Sequence, residues 1–380
     1  MARKRIEIGK RLKVLVVDDS VVIRRLLTTA LSEDPQIEVI GSAPNGIVAL
    51  QKIQQMHPDV VTLDVEMPEM NGLEALRQIR KQNSSLVVIM FSTMTRRGGE
   101  SALEALTLGA NDYATKPSNV GPLDHALAVL RDDLIPKVKQ FFEFAGQPGP
   151  RSGAPLSGPG NGGHAPIPRH ATAGAFGAAA AALRLAREAG PKKVLLIGSS
   201  TGGPTALAEI IPLLPANFRV PILMVQHMPP MFTRLLAERL QQQSKIRIEE
   251  ASEGAVVEPG KAYIAPGDYH LGLRKTDRQI VCTLNQGPPE NSCRPAVDVT
   301  FRAAHEIWGG AAVSVILTGM GQDGMRGCEV LKASGGYVIA QDEETSVVWG
   351  MPGAVVRAGL ADSIVPLRCV VPEIMKHFAG

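Results

Sequence analysis

Three carboxylates and a lysine carry the first chemistry in this chain. Asp18 and Asp19 follow the apolar run Val14-Leu15-Val16-Val17. Asp64 ends Val60-Val61-Thr62-Leu63-Asp64, and Lys116-Pro117 follows Asp112-Tyr113-Ala114-Thr115. Each group lands at the carboxyl end of a short apolar run that reads as a buried strand, and ligands bind along that edge of an open α/β sheet. A hard cation such as Mg²⁺ takes oxygen ligands, and lysine offers a point charge to phosphate. The first third of the chain therefore reads as a phosphorylation switch.

A second set lies in the other half. Gly198-Ser199-Ser200-Thr201-Gly202-Gly203-Pro204 follows an apolar run and opens a helical pattern. A dinucleotide loop is one reading, but the glycines do not fit G-x-G-x-x-G and no acidic residue stands at the expected place. An N-cap serine is the plain structural reading. A nucleophile turn is the third: Ser200 would project at the sheet edge while backbone N–H groups hold an oxyanion. His227 ends the next run, Ile222-Leu223-Met224-Val225-Gln226, and Asp323 sits in the Gly-rich loop after Val315-Ile316-Leu317-Thr318. Three sheet-edge loops then bear a Ser-His-Asp set, whose roles depend on geometry and not on chain order. In it His227 takes the Ser200 proton and Asp323 orients the imidazole.

These residues need elements to carry them. Val22, Ile23, Leu26, Leu27, Ala30 and Leu31 recur at helical spacing, as do Leu73, Leu76 and Ile79. Between such helices lie short apolar runs, up to Leu86-Val87-Val88-Ile89-Met90-Phe91. This alternation predicts a parallel sheet covered on both faces, and it resumes at Val194. Ala262-Tyr263-Ile264, His270-Leu271-Gly272-Leu273 and Ile280-Val281-Cys282 read as a hairpin insertion. From about 146 to 174 the chain is rich in Gly, Pro and Ser, the composition of a linker.

At 380 residues the chain is long enough for two domains. A net charge of +3 is too small to point to nucleic acid. No apolar run approaches the ~18 residues of a membrane span. Cys282, Cys293, Cys328 and Cys369 form no CxxC pair, so free thiols in a reducing compartment are expected. The basic start, Arg3 to Lys13, reads as a solvated arm.

In combination these motifs resemble the two-domain chemotaxis protein-glutamate methylesterases, the CheB family. The resemblance rests on Asp18-Asp19-Ser20, Asp64 with Met67-Pro68, Lys116-Pro117, Gly198 to Gly203, Gln226-His227-Met228-Pro229-Pro230 and Thr318 to Gly324. It implies an arm over 1–12, a flavodoxin-like (βα)5 receiver over 13–138, a Gly/Pro/Ala-rich linker over 139–190 and a doubly wound, mostly parallel α/β hydrolase domain over 191–380. Asp64 would be the phosphoacceptor, with Mg²⁺ on Asp18, Asp19, Asp64 and the backbone carbonyl of Glu66. Lys116 would pair with the phosphoryl oxygens across a cis bond to Pro117. Ser92, with Thr93 as a weaker candidate, aligns with the switch hydroxyl, and Tyr113 is either the switch aromatic or half-buried packing. Ser200, His227 and Asp323 would form the triad, with the Thr201 and Met320 amides as oxyanion donors. The hydrolase reaction would need no cofactor.

The implied activity is demethylation of glutamyl methyl esters, and deamidation of glutamines, on chemoreceptor cytoplasmic helices. A chemotaxis histidine kinase would be the phosphodonor. The protein would be a cytoplasmic monomer recruited to receptor arrays, without nucleic acid or membrane insertion, and its unphosphorylated receiver would cover the cleft. Two other readings compete: the same chemistry in a non-chemotaxis pathway, and a non-enzymatic receiver acting as a phosphate sink.

Overall fold

A computed structural model describes residues 4–117, 123–145 and 190–378. Most of the expected linker lies outside the described residues.

The chain opens on β1 (Lys4–Ile6) and β2 (Leu12–Val17), followed by α1 (Val21–Ser32), β3 (Ile37–Ala43), α2 (Gly46–Met56), β4 (Val60–Asp64) and α3 (Gly72–Gln82). Then come β5 (Val87–Ser92), α4 (Arg96–Thr107), β6 (Asp112–Thr115), α5 (Leu123–Lys139) and β7 (Phe142–Phe144). Five strands form a parallel sheet in the order β3-β2-β4-β5-β6. The central β4 and β5 are buried throughout, as strands covered on both faces must be. Local chemistry starts the helices. The Ser20 side chain accepts the Ile23 amide, Asn45 that of Val48, and Thr95 that of Gly98. Asn71 and Glu74 form a reciprocal capping box.

The N-terminal arm is solvated in most of its described side chains, but its first strand is not a free backbone. β1 pairs in parallel with β7, Lys4 opposite Phe142 and Ile6 opposite Phe144. The pairing gives the backbone of a basic segment hydrogen-bond partners that no local pattern announces. Ile6 and Phe144 pack on the apolar cluster of Leu12, Leu134 and Phe141.

The second unit runs through β8 (Val194–Ser199), α6 (Gly203–Ile210), β9 (Ile222–Gln226), α7 (Phe232–Gln243), β10 (Arg247–Glu250) and β11 (Lys261–Ile264). It continues with β12 (His270–Lys275), β13 (Ile280–Asn285), α8 (Val297–Trp308), β14 (Ala312–Ile316), α9 (Met325–Ala333), β15 (Tyr337–Gln341), α10 (Met351–Arg357), β16 (Ser363–Val365) and α11 (Leu367–Met375). Its seven-stranded sheet has the order β10-β11-β9-β8-β14-β15-β16, with parallel pairing throughout. The expected hairpin insertion is real only for β12 and β13, which pair antiparallel. Residues 262–264 instead belong to the main sheet, where β11 is fully buried between β9 and β10.

The units meet through α4 and β6 of the first and α6 and α7 of the second. Tyr113 stacks on Phe232 with ring centroids 5.0 Å apart and planes 9° from parallel. Gly99 admits Leu235 so closely that a Cβ there would lie 2.6 Å from its Cδ1. Arg96 pairs with Glu238 at 3.0 Å, and Arg239 donates to Thr107 Oγ1 at 2.7 Å. The aromatic stack contributes about 0.5–1.5 kcal/mol beyond its buried area. Exposed ion pairs contribute little, so apolar contact holds the docked state.

Candidate functional site

Two sites form at the carboxyl edges of the two sheets. In the first, Asp18 follows β2 and Asp64 ends β4, both buried, while Asp19 is exposed. Oxygens of all three lie within 4.8 Å of one another. Lys116 follows β6 and places its Nζ 2.8 Å from Oδ2 of Asp18 and 2.8 Å from Oδ2 of Asp64. Beyond that ammonium, neither oxygen accepts a hydrogen bond. Burial, and then the Asp18 charge, push Asp64 up to about 6; burial also raises Asp18. One ammonium leaves three crowded acids under-neutralised, and all-oxygen donors suit a hard cation. The residues present therefore fit Mg²⁺. The Glu66 side chain is exposed and pairs with Arg97 at 3.0 Å. Ser92 ends β5, buried, with its Oγ donating to the Gly98 carbonyl at 2.9 Å. Tyr113 is buried rather than half-buried, at 5% exposure, because Phe232 covers its ring.

The Lys116–Pro117 bond is trans, against expectation. Among the described residues the one cis bond is Arg294–Pro295. Trans is the lower-energy isomer even before proline, and Lys116 reaches both carboxylates from it.

In the second site, adjacent parallel strands β9, β8 and β14 present His227, Ser200 and Asp323 beyond their carboxyl ends. The Ser200 turn is tightly held. Ser200 N donates to the Thr318 carbonyl at 3.0 Å, and Gly203 N donates to the Ser200 carbonyl at 2.8 Å. Gln226 accepts the buried Ser199 hydroxyl at 2.8 Å and donates to the Ser200 carbonyl at 2.9 Å. Gly202 takes φ +78°, and a Cβ on Gly203 would fall 1.9 Å from Gln226 Oε1. Both glycines are therefore required by the turn. The backbone N–H groups of Thr201 and Met320 have no acceptor among the described residues.

His227 Nε2 lies 2.8 Å from Asp323 Oδ2. The structure does not join Ser200 to this pair: among the described residues its hydroxyl makes no hydrogen bond. His227 Nδ1 instead faces the Cys293 sulfur at 3.4 Å. Burial opposes charge on His227, but hydrogen bonds to Asp323 and Cys293 prevail and raise its pKa from 6.5 to about 10. Asp323 moves down, because His227 and the Val297 and Asp298 amides outweigh its burial. The contact thus favours an imidazolium beside a carboxylate. Its stabilising contribution is full below pH 6.5 and fades as pH rises through about 10. Asp323→Asn removes the opposing charge, so burial should carry the His227 pKa down by about two units or more. An NMR titration of His227 reads this, and an unmoved pKa would contradict the pairing.

Several residues around the site escaped sequence reasoning. Gln226 and Thr318 were visible as polar residues in apolar runs, and Thr318 Oγ1 donates to the Thr201 carbonyl at 2.9 Å. Cys293 had no such signal. Nor did Asp112, whose Oδ2 accepts from Thr201 Oγ1 across the interface at 2.9 Å. All four cysteines are free thiols.

The response regulator receiver domain model matches residues 14–128, and the CheB methylesterase model matches residues 195–374. A Trichodesmium erythraeum protein named protein-glutamate methylesterase/protein-glutamine glutaminase is 46% identical, with 97% of this chain and 99% of that one covered. A Nocardioides protein of the same name is 46% identical over 97% of this chain and 96% of its own. Among solved structures, the Thermotoga maritima CheB methylesterase catalytic domain is 48% identical, covering 49% of this chain and 98% of that one, with a TM-score of 0.48. The response regulator domain of Thermotoga maritima CheB is 38% identical, covering 35% of this chain and 96% of that one, with a TM-score of 0.32. With relatives this similar along nearly its whole length, the chain belongs to the CheB family of protein-glutamate methylesterase/protein-glutamine glutaminases.

Proposed function

We propose that this chain is a phosphorylation-activated serine hydrolase that removes methyl esters from glutamyl side chains, and deamidates glutamines, on chemoreceptor cytoplasmic helices. The observation that carries it is the placement of Ser200, His227 and Asp323 beyond three adjacent parallel strands, with His227 and Asp323 already joined at 2.8 Å. Ser200 Oγ attacks the glutamyl carbonyl and passes its proton to His227 Nδ1. Asp323 holds the imidazole, and the Thr201 and Met320 amides receive the oxyanion. The same tetrahedral path serves ester and amide. His227 returns the proton to the departing methanol or ammonia, and water then releases the glutamate from Ser200.

The docked state is idle for two reasons. Asp323 and Cys293 favour the protonated imidazole, which disfavours proton transfer from Ser200, and His227 Nδ1 is turned to Cys293. The receiver also bears on the site, with Asp112 on Thr201 and Tyr113 on Phe232. Asp18, Asp19, Asp64 and the Glu66 carbonyl would hold Mg²⁺, which neutralises charge on an incoming phosphoryl group. Asp64 accepts that group and Lys116 pairs with its oxygens. When Ser92 turns toward the phosphoryl group it leaves the Gly98 carbonyl, next to Gly99, where Leu235 docks. One local event thereby biases two arrangements of the interface.

The direct test is methanol release from methylated receptor membranes by the full chain, with and without a phosphodonor. Release that rises with phosphorylation is expected; no release in either state would overturn the reading. Docking is tested by Leu235→Asp, which buries an unpaired charge only in the docked arrangement. The unphosphorylated variant should release methanol about tenfold faster than the unphosphorylated parent, and an unchanged rate would show that this contact does not restrain the site.

A further inference from the structure

Asp323 is not the only buried acid at the site. Asp298, on the first turn of α8, is 1% exposed, as is Asp323. The Asp323 carboxylate is well supplied with donors. Val297 N reaches Oδ2 at 2.6 Å, while the amides of Asp298 and Gly324 each reach Oδ1 at 3.0 Å. Asp298 has less support. Oδ1 accepts Gly327 N at 2.7 Å, and Oδ2 accepts the side-chain nitrogen of Asn291 at 3.0 Å. That same nitrogen lies 3.0 Å from Asp323 Oδ1. A primary amide has two hydrogens, so Asn291 can donate one to each acid. Its backbone sits at φ 52°, a left-handed conformation that asparagine tolerates better than most residues.

We propose that Asn291 is a positioning residue for the hydrolase reaction, bridging Asp298 and Asp323 so that both stay ionised and the full Asp323 charge acts on His227. This rests on the triad reading above. Without the bridge, two close buried carboxylates repel, and one proton settles between them. Asp323 then shares that proton and holds the imidazole less firmly. Burial and the neighbouring Asp323 charge already raise the Asp298 pKa, while Asn291 is among the groups that lower it. Among the described residues, the other charged or titratable groups facing the pair are His227 from the β9 edge, Cys293 and Glu290 from the preceding loop, Arg302 from α8 and the buried Cys328 thiol from α9, with Arg326 and Glu329 from α9 lining the adjoining cleft. Arg302 is paired with Glu290 at 2.5 Å. It therefore offers Asp298 a distant charge, not a hydrogen bond.

The test uses the full chain and Asn291→Gly, which keeps the left-handed backbone accessible and removes only the amide. NMR titration of labelled aspartate carboxyls in this variant should show the Asp298–Asp323 pair taking up a proton about one pH unit higher than in the parent. In the phosphorylated chain, the plateau kcat for methanol release should fall about tenfold, and the acidic limb of its pH profile should move down, because a partly neutralised Asp323 holds the His227 proton less firmly. Adding Asp298→Asn removes the second acid and should return that limb toward the parental position, a non-additive result. Asn291→Asp, which also tolerates the backbone, should move the titration further in the same direction if the glycine variant proves unstable. An unmoved carboxyl titration would overturn the bridge. A moved titration with an unmoved acidic limb would overturn its role in positioning His227, as would losses that simply add. A parent chain that releases no methanol would instead break the triad reading, while the titration would still decide the bridge.

Discussion

Ser200→Ala is expected to remove methanol release by a factor of about a thousand or more, in a protein that still folds and accepts phosphate. Two hydroxyls compete for the nucleophile's place, and the structure separates them. Ser199 is fully buried and donates to Gln226 Oε1 at 2.8 Å, so its hydroxyl is committed to holding the turn. Ser200 stands one residue further, partly exposed, with no hydrogen bond to its hydroxyl among the described residues. Thr201 is also committed, to Asp112 of the receiver. Ser199→Ala should therefore loosen the turn and lower the rate by a smaller factor, about tenfold, from one lost buried hydrogen bond. His227→Ala should fall about as far as Ser200→Ala, because members of a triad act as a unit and their losses do not add. Initial rates of the phosphorylated parent and the three variants on methylated receptor membranes decide the matter. Near-parental release by Ser200→Ala would exclude it as nucleophile, and Cys293, the group actually on His227 Nδ1, would become the residue to examine.

Much of this arrangement was legible because the chemical residues end or soon follow apolar runs. Val60 to Asp64 and Ile222 to Gln226 announce buried parallel strands, and strand direction then dictates that Asp64 and His227 lie on a carboxyl edge. The residues around them were less legible for a physical reason. Asn291, Asp112 and Cys293 act through contacts between segments distant in sequence, 89 positions apart for Asp112 and Thr201. No local period encodes such a pairing. The β1–β7 pair escaped in the same way, since a basic stretch reads as solvated until Phe142 to Phe144 supply its partner. The Ser200–His227 hydrogen bond is a different case. The proposed mechanism requires that contact, whereas the docked structure shows His227 engaged elsewhere. On the proposed mechanism, the sequence records the competent set and the fold shown here is one state of a switch.

Asp64→Asn is expected to abolish Mg²⁺-dependent phosphorylation by a histidine kinase or a small phosphodonor, and with it any stimulation of methanol release. The substitution keeps the shape of the side chain and removes the carboxylate proposed to accept the phosphoryl group. It also removes one acid from a crowded site. Burial, with the charge of Asp18, raises the Asp64 pKa from 3.8 to about 6, so the ionised carboxylate is disfavoured in the fold. That penalty is complete above about pH 6 and disappears as pH falls through 3.8. Lys116 keeps its 2.8 Å contact with Asp18 in the variant. In metal-free buffer near pH 7.5, Asp64→Asn should therefore melt no lower than the parent, and any advantage should shrink as the buffer is acidified. This thermal result separates loss of chemistry from loss of fold. The variant should stay at the unphosphorylated rate in the presence of phosphodonor, while Leu235→Asp in the same background should still release methanol faster, because it opens the interface without using phosphate. Stable phosphate mapped to another residue of Asp64→Asn would refute the assignment, and stimulation without incorporated phosphate would show that the phosphodonor acts by some route other than Asp64.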